Sequence, residues 1–166
     1  MYPNKECRLL LNRTLAICMW TYNRVLEICK DCYKNDVHIF GYDMCRMIPV
    51  LKLENPKLKN VYSQTLNEIC MRVDDIFGGY LKQVDERKED EPKIVFPGPK
   101  TEYNSFAFYK VGYKIVPKYS LFSVSKIGAI EIDLCPKFYG EIAKLIIRKN
   151  NDDEWCANFI CKIEVD

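Results

Sequence analysis

Leu10, Leu11, Leu15, Cys18, Met19, Tyr22, Val25, Leu26, Cys29 and Tyr33 recur at gaps of three and four, the signature of one apolar helix face. Pro3 and Asn4 precede that stripe and supply a start signal. A stretch of this length without internal caps predicts two helices rather than one, with a break near Thr14 to Ala16. Beyond the polar connection at Asn35 and Asp36, "YDMCRMIPVLKL" predicts a short helix or turn interrupted at Pro49, and "ENPKLKN" breaks the chain again. Leu66, Ile69, Val73, Ile76, Phe77, Tyr80, Leu81 and Val84 then mark a second long helix over residues 60–87. Gly78 and Gly79 weaken its middle by about 1 kcal/mol each relative to alanine. The helical half reads as a small antiparallel bundle.

The period changes after "DERKEDEPK", a mixed charge run closed by Pro92. In "EWCANFICKIEV" the residues Trp155, Ala157, Phe159, Cys161, Ile163 and Val165 alternate with Cys156, Asn158, Ile160, Lys162 and Glu164, as in a half-buried strand. "EIAKLIIRK" predicts the preceding strand, with a turn at Asn150 to Asp153. "SFAFYK", "YKIVP" and "IGAIEIDL" supply further short strands, and their close spacing suggests a small barrel or a strongly curved sheet. The expected class is α+β, a helical bundle inserted at the start of a small antiparallel β-barrel. Residues 1–92 form the helical part, with residues 1–4 as a remnant first barrel strand, and residues 93–166 form the barrel.

Composition narrows the function classes. A hydrophobic content of 48% over 166 residues supports a real core. The net charge of +2 neither demands nor excludes a nucleic-acid partner. Position matters more: residues 93–126 carry Lys93, Lys100, Lys110, Lys114, Lys118 and Lys126 against Glu102 alone. Phe96, Tyr103, Phe106, Phe108, Tyr109, Tyr113, Tyr119 and Phe122 lie among them. Cations meet phosphates and rings stack on bases, while the same rings also suit an ordinary core.

Nine cysteines, Cys7, Cys18, Cys29, Cys32, Cys45, Cys70, Cys135, Cys156 and Cys161, lie mostly within apolar periods and follow no signal peptide. Reduced thiols filling a core in a cytoplasmic protein are the expectation. No apolar run reaches the length of a membrane span. Cys29 and Cys32 have zinc-ligand spacing, and His38 and Cys45 follow closely enough to complete a site on paper; core cysteines are the alternative. His38 is the sole histidine and sits in a polar connection, and no nucleophile, metalloprotease or phosphate-loop motif is present. No cofactor is expected.

Several segments together carry a resemblance. "YPNKECRLLLNRTLAICMWTYNRVLEI" resembles the opening of the TnpB, or OrfB, proteins of insertion sequences, through Tyr2, Pro3, Leu10, Leu11, Thr14, Tyr22, Asn23 and Leu26. "NVYSQTLNEI", "FPGPK", "SKIGAIEI" and "EWCANFICKIEV" are similar to later landmarks of that family, in the same order. The resemblance implies the N-terminal portion of a transposon-encoded, RNA-guided DNA nuclease: a helical recognition lobe with a wedge β-barrel, which holds guide RNA and reads a short motif in double-stranded DNA. The RuvC-like catalytic domain of such proteins starts after the last strand, so this chain is expected not to cut DNA by itself.

By the same resemblance Ser63, Gln64 and Asn67, with Phe40 and Tyr109, face the DNA motif. Asn and Gln suit base edges, and a helix N-terminus suits phosphate. The alternative for the helix start is simple capping by Ser63 or Asn60. Lys110, Lys114, Lys118 and Lys126 are expected on the nucleic-acid backbone, joined by Arg8, Arg13 and Arg24. A different class of function stays open: a non-catalytic interaction module, or a decayed transposase remnant, that self-associates through the surface left by the absent nuclease domain or binds an intact homologue.

Overall fold

The computed structural model describes residues 1–133 and 141–162. Leu134, Cys135, Ile163, Glu164 and Val165, named above as strand or thiol positions, lie outside them.

Helix α1 runs unbroken over Lys5–Lys34. Asn4 caps it, its side-chain oxygen accepting from the Cys7 amide at 2.8 Å. The expected break near Thr14 to Ala16 does not occur. No Gly or Pro lies within the helix; Thr14 and Thr21 fold their hydroxyls back onto the carbonyls of Leu10 and Ile17 at 2.9 Å. The buried stripe also continues without a gap from Cys7 to Cys29, so tertiary burial carries the helix past its typical length.

Helix α2, Gly41–Glu54, passes through Pro49 rather than stopping there. Pro49 points to solvent while Met44, Ile48 and Leu51 are buried, and that apolar face holds the helix against the cost of the missing amide. A 3-10 turn, Pro56–Asn60, leads to helix α3, Ser63–Glu86, which packs against both α1 and α2. Gly78 and Gly79 lie within α3, and a Cβ on either would meet nothing within 4 Å. Gly78→Ala and Gly79→Ala are each expected to raise stability by about 0.5–1 kcal/mol. Thermal unfolding measures this; a lowered midpoint for either variant would contradict it.

Six strands follow: β1 Ser105–Tyr109, β2 Tyr113–Val116, β3 Leu121–Val124, β4 Gly128–Glu131, β5 Glu141–Lys149 and β6 Trp155–Lys162. Among the described residues they form two antiparallel three-stranded sheets, β1-β5-β6 and β2-β3-β4, and not a closed barrel. The reason is local. Lys110 at φ 47° and Gly112 at φ 93° turn the chain out of the first sheet, so β1 pairs with β5 while β2 pairs with β3. Aromatic contacts join the two sheets, Phe108 with Tyr113 and Phe122 with Phe159. Strand β6 buries or half-buries Trp155, Ala157, Phe159 and Cys161 and exposes the residues between them, as its period of two requires.

Helices and sheets share one buried cluster that extends from Cys7 on α1 to Trp155 on β6. Thr65 on α3 donates to the Ala107 carbonyl of β1 at 3.0 Å, and the Cys7 thiol lies 3.6 Å from the Ile127 carbonyl. Tyr2 adds an isolated antiparallel bridge to Glu131. The helices thus leave from, and return to, the strand region. Among the described residues no helix is long and apolar enough to cross a membrane.

Candidate nucleic-acid interface

The lysines and aromatics of residues 93–126 part company in the fold. Phe106, Phe108 and Phe122 are buried, Phe96, Tyr103 and Tyr113 are half-buried, and only Tyr109 and Tyr119 stand exposed. Most of those rings are core. The cations Lys110, Lys114, Lys118 and Lys126 are exposed.

Neutralisation by neighbours separates the candidate cations further. Arg8 pairs with Asp153 at 3.7 Å, Arg24 with Glu27 at 2.7 Å and Glu54 at 2.9 Å, and Lys110 with Glu141 at 2.8 Å. The bond from Lys110 also holds the Glu141 carboxyl below its ordinary pKa. Arg13, Lys114, Lys118 and Lys126 make no ion pair among the described residues. Lys118 lies over the Tyr119 ring at 5.5 Å.

Two of these four are brought together. Arg13 on α1 and Lys126, in the β3–β4 turn, line a groove of about 610 Å³ with Lys57 and Asn60 from the 3-10 turn. Leu10, Thr14, Ala16 and Ile17 form its α1 wall. Three cations face this groove, and among the described residues no acid lines it. Lys126 reaches the rim because its backbone takes φ 67° at the tight turn. Sequence reading missed Lys57 and Asn60; the available signal was that Lys57 and Lys59 fall in residues 55–67, which hold no acid.

The groove's α1 wall carries the decisive comparison. Residues 1–37 match a helix-turn-helix domain of the OrfB/IS605 type. The N-terminal region of this chain is therefore related to IS605/OrfB transposases. The matched residues comprise all of α1 and the start of the turn into α2, and they include Arg13, Ala16 and Asn23. No curated protein matches the chain.

Asn23 in this OrfB-type segment has a role that spacing did not reveal. Its side-chain amide donates to the Lys100 carbonyl at 2.9 Å and its oxygen accepts from the Lys100 amide at 2.8 Å. That bidentate clasp fixes "FPGPK" along α1 across 77 residues of sequence.

The start of α3 is not capped by Ser63 or Asn60. Its N-cap is Tyr62, with no side-chain cap bond, and the Ser63 hydroxyl instead accepts from the Lys52 ammonium at 2.9 Å. Tyr62 holds its place by stacking on Phe108, ring centroids 5.9 Å apart. Gln64 is half-buried with its side-chain oxygen buried and unpartnered. Asn67 exposes its side chain, and only its carbonyl is engaged, by the Cys45 thiol at 3.7 Å. Phe40 is 61% exposed at the head of α2, beside Gly41, which sits against Met71 and Asp74 of α3. Tyr109 is 41% exposed, its ring under the Lys144 ammonium at 5.0 Å. Ser63 and Asn67 thus lie beside α2, while Tyr109 lines a separate recess with Glu68, Arg72 and Lys144.

The zinc-spaced cysteines are not arranged as a site. Among the described residues no three His, Cys, Asp or Glu side chains are disposed to hold a metal ion. Cys29 is buried on α1, and burial pushes its thiol up to about 12. His38 packs edge-on against Tyr33, and Cys45 turns to Asn67 and Cys70. Cys18 and Cys70 are likewise buried with raised pKa values, first from burial.

Proposed function

We propose that this chain is the nucleic-acid-binding portion of an IS605/OrfB-type, TnpB-like transposase. It holds double-stranded DNA and a guide RNA through their backbones, reads a short DNA motif with Ser63, Gln64, Asn67, Phe40 and Tyr109, and acts in the cytoplasm without cutting DNA by itself. The observation that carries this reading is the groove of Arg13, Lys57 and Lys126, three cations without an acid, built on the helix-turn-helix segment. Unpaired cations converging on one concave surface are the electrostatic footprint of a polyanion. Lys114 on β2 and Lys118 in the 3-10 turn Pro117–Tyr119 add two further exposed cations.

The test is fluorescence anisotropy with duplex DNA and structured RNA across a salt series. The triple variant Arg13→Gln, Lys57→Gln, Lys126→Gln should lower the slope of log affinity against log salt by roughly 2 to 3 on duplex. An unchanged slope would remove the groove from the interface.

A second reading, self-association, draws on the outer face of α2, where Tyr42, Val50 and Leu53 are 79%, 64% and 77% exposed. Light scattering at high concentration decides it, a strictly monomeric mass counting against it.

A further inference from the structure

A second cavity, of about 860 Å³, opens on the other flank of α1, bounded by Met19, the segment 99–105 and the β5–β6 turn. Ala16 lines both this cavity and the basic groove. It is exposed, so the two cavities adjoin at its side chain on the helix surface.

The polar character of the second cavity is distinct. Its walls carry uncharged hydrogen-bonding side chains, among them Thr101, Asn104 and Asn151, the donor and acceptor types that recognise base edges. Its acids are Asp153, held by Lys149 at 2.5 Å and by Arg8, and Glu102. Lys100 enters it without an ion pair among the described residues, its ammonium 4.6 Å from the Tyr22 ring and 5.2 Å from the Tyr103 ring. Burial, with the nearby Arg72 guanidinium adding to it, lowers the Lys100 pKa. A half-buried ammonium beside a second cation is where an incoming anion gains most. Asn23 holds the Lys100 backbone from both sides, which fixes where its side chain enters the cavity.

We infer that the two cavities are one track, along which a single nucleic-acid strand leaves the Arg13–Lys57–Lys126 groove, crosses α1 at Ala16 and sets a phosphate against Lys100. A single strand fits because its unpaired bases are free to turn into the second cavity while its backbone follows the cations. A duplex keeps its bases stacked and paired, so it cannot turn them into a concave site lined by Thr101, Asn104 and Asn151. The inference rests on the nucleic-acid reading proposed above.

The experiment uses fluorescein-labelled single-stranded DNA and RNA oligonucleotides of about 12 nucleotides, with the full chain and the variants Ala16→Trp and Lys100→Gln. Ala16→Trp places an indole on an exposed helix position and should leave the unfolding midpoint unchanged while weakening single-strand binding about tenfold. Lys100→Gln should weaken it about tenfold and lower the salt slope by about 0.7, one phosphate contact on a single strand. Leu9→Trp, at an exposed position of the same helix that lines neither cavity, serves as the control and should bind like the parent chain. If both variants bind with parental affinity and slope while the Arg13, Lys57, Lys126 triple variant is impaired, the track is wrong and the groove stands. If the parent chain binds no nucleic acid at low salt, the nucleic-acid reading and the track both fall.

Discussion

Glu68→Ala is expected to destabilise the fold by about 3 kcal/mol. The Glu68 side chain is 2% exposed on α3, and one of its oxygens accepts from Arg72 at 2.8 Å and from Lys144 at 3.0 Å. It is therefore the carboxylate that joins α3 to β5. Arg72 reaches on to Tyr103 and to the Ser105 carbonyl and hydroxyl, at 3.1–3.3 Å, so the network extends to β1. Both cations are about three-quarters buried, with side chains 24% and 25% exposed. Removing the carboxylate leaves two poorly solvated cations facing each other, the case in which a buried ion pair costs most to break.

Burial works against the charge on Arg72 and Lys144, and the bonds to Glu68 outweigh it, leaving both pKa values raised. The sign for Lys144 follows: its contribution is complete below the ordinary lysine pKa of about 10.4 and is lost as pH rises through the higher folded value. Urea unfolding measures the main effect, as a lowered midpoint with an unchanged m-value. Glu68→Gln, which keeps the shape and one acceptor, should lose about half as much. A midpoint for Glu68→Ala equal to that of the parent chain would show that the network contributes nothing net.

Gly112→Ala is expected to cost a similar amount, about 3 kcal/mol, through a different cause. Gly112 takes φ 93° in the turn between the sheets, and a Cβ there would lie 2.7 Å from Phe108 Cδ1 and 2.7 Å from Tyr62 Cε1. The backbone conformation alone penalises an L-residue by about 1–2 kcal/mol. The clash adds about 1–3 kcal/mol because Phe108 is 1% exposed and has no free space to move into. Tyr62 is the N-cap of α3, so displacement of its ring also disturbs the face bearing Ser63, Gln64 and Asn67. Gly98→Ala is the control: a Cβ there meets nothing within 4 Å, and its unfolding midpoint should match the parent's. A Gly112→Ala midpoint indistinguishable from that of Gly98→Ala would refute both the strain and the clash.

These two positions illustrate what periodicity does and does not reveal. The apolar spacing of α1 and α3 and the alternation of β6 follow from geometry that a few neighbouring residues determine, so helix, strand and buried face were legible. Strand β3, Leu121–Val124, was not, because four residues between a 3-10 turn and a tight turn are too short to display a period. Glu68 carries no signal of its link to β5 in the neighbouring residues of α3. Its partner Lys144 is 76 residues away, and no local pattern announces such a pair. The acceptance of Pro49 within α2 has the same origin: the penalty is local, whereas the burial that offsets it comes from α3.

The candidate interface divides along the same line. Its raw material was visible in the sequence, as lysines unmatched by acids in residues 93–126 and as an OrfB-like opening. Selection among those cations required distances. Arg8, Arg24 and Lys110 are occupied by Asp153, by Glu27 and Glu54, and by Glu141, while Arg13 and Lys126 make no ion pair among the described residues and meet Lys57 in one groove. Local sequence determined the α+β class, the helical segments and their apolar faces, the faces of β6 and an N-terminal segment of the OrfB type. Tertiary structure alone decided that the strands form two sheets, that α1 does not break, and which cations converge without a counter-ion, because each depends on residues brought together from distant parts of the chain.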